Sequence, residues 1–130
     1  MMIVSVLMLA ASVAGSEPLY TDDQLGLQMS VAEMKRDLIG NTLAWDSPAG
    51  PNALHLTREG ALKGKMAKSG SFTIAWRFRD YDNLLCADSG DPASSGCVQV
   101  LRKGNRVSFR RKDGLVEFTA SLIPGNPSSL

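Results

Sequence analysis

Ser71-Phe-Thr-Ile-Ala-Trp-Arg-Phe78 is the stretch that decides the fold. Phe72, Ile74, Trp76 and Phe78 alternate with Ser71, Thr73, Ala75 and Arg77, a period of two that a helix cannot use and a half-buried strand requires. One face of this strand belongs to a core and the other to water. Working outward, residues 54–56 and 61–62 flank Arg58-Glu59-Gly60, a short connection with glycine where a hairpin needs unusual dihedrals. Further strands are expected over 84–87, 97–101, 106–110 and 115–122. They are joined by the segment between the cysteines, by Lys103-Gly104-Asn105 and by Lys112-Asp113-Gly114. Strands at nearly hairpin spacing predict a mainly β fold: a single antiparallel meander or a small lipocalin-like barrel.

One short helix precedes the strands. Ser30-Val-Ala-Glu33 has the spacing of a capping box, and Met29 and Met34 stand where a hydrophobic staple would place them. Met34 and Leu38 lie one turn apart, and Gly40 suits a helix end, so the helix is expected from 31 to about 39. Residues 17–28 are polar and aperiodic and read as an extended lead. The domain is expected over 29–127, with 128–130 as a disordered tail.

The first sixteen residues have the layout of a secretory signal peptide: an uncharged apolar run over 3–14 that closes on small residues before Glu17. The run fits an apolar region of about 7–15 residues and falls short of the roughly 20 that span a bilayer. No Lys or Arg precedes it. The expected location is periplasmic or secreted, with no transmembrane anchor after cleavage. A net charge of +1 and a pI near 7.8 supply no global argument for nucleic acid.

Cys86 and Cys97 are the only cysteines. Their spacing is far from Cys-x-x-Cys, and no second cysteine pair or histidine cluster exists to complete a zinc shell. In an exported chain the economical reading is a structural disulfide, set above a labile bond or a metal ligand. Closing so short a loop is worth about 3 kcal/mol.

Read in order, Gly40-Asn41-Thr42, Glu59-Gly60-Ala-Leu-Lys-Gly64, Ser69-Gly70-Ser-Phe-Thr73, Leu84-Leu-Cys86, Gly96-Cys97, Asp113-Gly114 and Pro124-Gly-Asn-Pro127 form a pattern over residues 29–127. This pattern resembles a family of small uncharacterised secreted domains of proteobacteria. Where its members carry Gly-x-Trp, this chain has Gly70-Ser-Phe72. The resemblance implies an exported β-rich domain without an established activity, and it transfers no catalytic residue.

No catalytic residue, cofactor or metal site is assigned from the sequence. His55, the only histidine, alternates with Leu54 and Leu56 and is read as solvent-facing or hydrogen-bonded. Asp88 and Asp91 are read as turn formers rather than calcium ligands. The distinctive charge lies at the carboxyl-terminal hairpin. Val107 and Phe109 point one way, which sends Arg106, Ser108 and Arg110 to the solvated face, continued by Arg111 and Lys112, with Glu117 as a cross-strand partner. These basic residues form a candidate face for an envelope protein or an anionic surface. Phe72, Trp76 and Phe109 are the candidates for an apolar core or cavity. The expected function is therefore binding rather than catalysis. A carrier of a small apolar ligand or lipid in a β-cup is the alternative, and an envelope enzyme the least favoured.

Overall fold

A computed structural model describes residues 22–88, 90 and 96–130. The elements run α1 (Asp22–Leu25), β1 (Leu27–Gln28), α2 (Val31–Asp37), β2 (Thr42–Ser47), β3 (Gly50–Leu56), β4 (Ala61–Met66) and β5 (Gly70–Arg79). They continue with β6 (Leu84–Asp88), β7 (Gly96–Lys103), β8 (Arg106–Arg111) and β9 (Val116–Ile123). Among the described residues, β2 to β9 pair antiparallel with their sequence neighbours, and β9 returns to pair with β2, so eight strands close an up-and-down barrel. Closure leaves no exposed edge along the meander. An interior of this size is just wide enough to be filled by side chains or to hold one small ligand.

The alternation that predicts β5 sets the inner face of the whole barrel. Leu43, Leu54, Leu56, Leu62, Leu85, Val100, Val107, Phe109 and Ala120 are buried in one cluster, against which Phe72, Ile74, Trp76 and Phe78 pack. Outward-facing Ser71, Thr73, Lys65 and Arg77 are exposed, which is the reverse of the apolar-out pattern of a transmembrane barrel. No helix among the described residues is long and apolar enough to cross a membrane.

The helix forms as its cap predicts. Glu33 N donates to Ser30 Oγ at 3.1 Å, and Ser30 N donates to Glu33 Oε1 at 2.8 Å. These bonds satisfy two of the amide donors that a helix start leaves orphaned. Met29, Met34 and Leu38 all enter the barrel core cluster. Helix α2 plugs one end of the barrel. It is tied there by Val31 N to Asn83 Oδ1 (2.9 Å), by Gly40 N to Leu56 O (2.7 Å) and by Arg102 Nη1 to Asp37 Oδ2 (2.6 Å). Gly40, at φ 84°, makes the turn out of α2 that an L side chain would resist.

Two expectations change. Residues 22–28 are not an extended lead: α1 packs on the outside of β7 and β8 with Leu25 3% exposed, and β1 adds to β7. At Gly26 a Cβ would lie 2.0 Å from the Arg102 carbonyl oxygen, so only glycine lets the chain come this close. At the carboxyl end Asn126 Nδ2 donates to Leu130 O at 2.7 Å and Leu130 N to Asn126 Oδ1 at 2.9 Å. Residues 42–47 form a strand that the sequence reading leaves unassigned, and β3 begins at Gly50 rather than near 54. The signal-peptide segment lies outside the described residues.

Candidate functional site

The barrel is open at the end opposite α2. There the strand ends enclose a cup of about 760 Å³, within the usual range for a small-molecule site. Its walls are apolar: Trp45, Leu54, Phe72, Ile74, Phe109 and Phe118 face into it. Trp45 and Phe118 stack with ring centroids 4.0 Å apart, and Phe109 tilts against Phe118 at 4.5 Å, which makes one side of the cup a continuous aromatic surface. Opposite it, the Phe72 ring lies over Gly64, its direct cross-strand partner. A Cβ at Gly64 would sit 2.2 Å from Phe72 Cζ, so the ring can lie flat on the wall only because that position carries no side chain.

The rim is polar on one side only. Arg111 continues the inward face of Val107 and Phe109 to the mouth, and Lys112 and Asp113 form the turn that follows. Glu117 reaches the mouth through a β-bulge: Phe109 pairs with Phe118 but Arg110 pairs with Val116, so Glu117 is the extra residue. A bulge re-aims the side chain it inserts, and Glu117 lines the cup rather than pairing across the strands. Partial burial pushes its carboxyl above the ordinary value, against the pull of the nearby Arg111. Asp113 is held low by its bond to Arg111 Nη2 at 2.6 Å and by the Leu115 amide.

The residues singled out from sequence are only partly brought together. Phe72 and Phe109 line the cup, whereas Trp76 does not: its Nε1 donates to Ala61 O at 2.9 Å and its ring stands edge-on to Phe78, within the packed part of the barrel. The basic residues do not share one face. Arg106 starts β8 at the plugged end and Arg111 ends it at the mouth, about 16 Å apart along the strand. Arg110, on the outer face, donates to Gln99 Oε1 at 2.9 Å. Ser108 is not solvated; it is 2% exposed and bonded to Thr119 Oγ1 at 2.9 Å.

Cys86 and Cys97 face each other in register with Cα atoms 4.0 Å apart and are joined as a disulfide on the outer side of β6 and β7. The bond clamps the two strands near their rim ends. Asp88 accepts from Gly90 N at 2.9 Å, a turn role, while Asp91 lies outside the described residues. Of the two readings of His55, solvent-facing or hydrogen-bonded, the second holds: the ring is buried and bonded. Thr42 Oγ1 donates its proton to Gly125 O at 2.7 Å, so His55 Nδ1, 3.1 Å from the same oxygen, must be the donor to Thr42. This histidine helps fasten the carboxyl-terminal segment to the barrel.

Sequence reasoning missed Trp45, Phe118 and Glu117. Phe118 lay in an assigned strand and its alternation with Ala120 and Leu122 was available, but Glu117 turns inward through a bulge that carries no local sequence signal. No family model, curated protein or solved structure matches the chain.

Proposed function

We propose that this chain is an exported binding protein that holds a small, largely apolar molecule in the open half of its barrel. The observation that supports this most is the cup itself, an apolar and aromatic recess left open where the opposite end is filled by a helix. Export is supported by the apolar leader, by the disulfide and by the resemblance to small secreted β-domains. A protein partner on the basic hairpin has less support, because the barrel separates Arg106 from Arg111 and Lys112.

The test is a titration of the full chain with a neutral apolar fluorophore, N-phenylnaphthylamine, beside an Ala87→Phe variant that fills the wall. Saturable fluorescence in the native chain and none in a variant that still melts cooperatively is the expected outcome. Equal binding by the two would move the site out of the cup. For export, the mature chain recovered from the envelope or medium should begin between residues 15 and 17; an intact Met1 on a cytoplasmic protein would overturn it.

A further inference from the structure

We infer that the cup takes a single-chain amphipath with a carboxylate head, its short acyl chain between Phe72, Ile74 and Phe109 and its head on Arg111 and Lys112 at the β8–β9 turn. The inference rests on the reading of the cup as a ligand site, and it adds the chemistry of the ligand.

The lining is polar on one side and nowhere else. Its charged residues, Arg111, Lys112, Asp113 and Glu117, all belong to the end of β8, the turn and the start of β9. The described lining on β2 to β7 carries no ionisable side chain, since Cys97 is in the disulfide. A wholly apolar guest would leave that turn unmatched, whereas a guest with one polar end meets both surfaces.

The four charges are unequally committed. Asp113 is consumed by the turn: Oδ2 accepts from Arg111 Nη2 at 2.6 Å and Oδ1 from Leu115 N at 3.0 Å. That contact occupies one edge of the guanidinium and leaves the Nη1 hydrogens for another acceptor. Lys112 makes no hydrogen bond or ion pair among the described residues. Partial burial raises the Glu117 carboxyl, so it takes up a proton earlier than an ordinary glutamate as the pH falls and then ceases to compete as an anion. Arg111 and Lys112 balance Asp113 and Glu117 at the mouth, and once Glu117 takes its proton in acid the turn carries one net positive charge, which suits a carboxylate better than a phosphate dianion.

Depth limits the chain. The cup wall on β5 runs from the mouth near Gly70 to Ile74, and at about 3.3 Å per residue with a tilt of about 35–45° this is on the order of 10 Å. Below it Leu54, Leu62 and Leu85 close the floor over the core that Met34 and Leu38 complete. A short or medium chain fits; a long one would project into water.

The experiment compares decanoate, decanol, decylammonium and octadecanoate, each below its micelle concentration, by calorimetry and tryptophan emission on the full native chain. Decanoate should bind about tenfold or more tighter than decanol in mild acid, the scale of one charge-assisted hydrogen bond. Decylammonium should be weakest, and octadecanoate no better than decanoate. Arg111→Gln with Lys112→Gln should reduce decanoate to the level of decanol and leave decanol unchanged; Lys112→Gln alone serves if the double variant melts early. Decanoate affinity should fall as the pH rises through the Glu117 value, and Glu117→Gln should flatten that dependence. Equal binding of the three decyl compounds, or tightest binding of the ammonium, would overturn the head-group assignment while leaving the cup. Failure of all four to bind would overturn the cup itself.

Discussion

At its plugged end the barrel is packed to completion: Met34, Leu38, Leu43, Val100 and Val107 are each 0% exposed. At the open end the same inward alternation continues through Trp45, Phe72, Ile74 and Phe118, yet these side chains stay half-buried around the cup. The strands are the same strands. What differs is that α2, anchored by its own cap and by Asn83, Leu56 and Arg102, fills one end, while no described element covers the other. Alternation therefore marks an interior face without saying whether protein or a guest completes it.

The sharpest way to break this contrast is to delete a side chain at each end. Leu38→Ala should cost about 2–5 kcal/mol, because it empties a site whose neighbours are held by the barrel wall. Ile74→Ala should cost nearer 1 kcal/mol, since its side chain is already partly in water. Denaturant melts of both would settle it, and equal costs would mean that the cup is closed in solution.

Replacing Cys86 and Cys97 by Ser should lower stability by about 2–4 kcal/mol with the far-ultraviolet spectrum unchanged. The bond belongs to the open half, so its loss should lower N-phenylnaphthylamine binding as well as the melting temperature. Unchanged affinity in the folded variant would show that the rim keeps its shape without the clamp.

Gly64→Ala sharpens the comparison further. The new methyl must push the Phe72 ring off the wall and into the cup, at an expected cost of about 1–3 kcal/mol. Fluorophore binding should suffer more than stability does. Retained binding would place the guest away from Phe72.

The smallest effects are those of pH. Asp37 is held below the ordinary aspartate range by Arg36 and then Arg102, Asp82 by Arg79 and Asp113 by Arg111. Their contributions are present above the unfolded-state value and are lost as the pH falls through the folded ones. Glu117 has the opposite sign: its raised carboxyl favours the folded state in acid, an advantage lost as the pH rises through the folded value. Glu117→Gln should therefore raise the melting temperature slightly at neutral pH and leave it unchanged in acid. A lower value at neutral pH would mean that ionised Glu117 is held by a partner at the mouth.

The parts legible in the sequence are those decided within a few residues of one another. The capping box of Ser30 and Glu33, the turn at Gly60, the alternation from Ser71 to Phe78 and the facing of Cys86 and Cys97 all depend on local geometry. β2 escaped because its run is short, with only Leu43 and Trp45 as large apolar residues, and Gly50-Pro51 at the start of β3 reads as a loop. Its strand character comes from pairing with β3 and β9, seventy or more residues away in the second case.

Other features were decided only when distant segments met. Ser108 has the outward alternation of a solvated residue and is buried nonetheless, because α1 from the other end of the chain packs across β7 and β8. Trp76 and Phe72 share one inner face, yet one is bonded to Ala61 O in the packed half and the other lines the cup, a distinction set by their positions along β5 relative to the plugged and open ends. By itself the sequence determined a disulfide-clamped antiparallel sheet with one capped helix, since dihedral preferences and side-chain period act along the chain. The tertiary structure alone decided that the sheet closes, which end is filled and that Glu117 turns inward, because closure, plugging and a bulge depend on register between strands far apart in sequence.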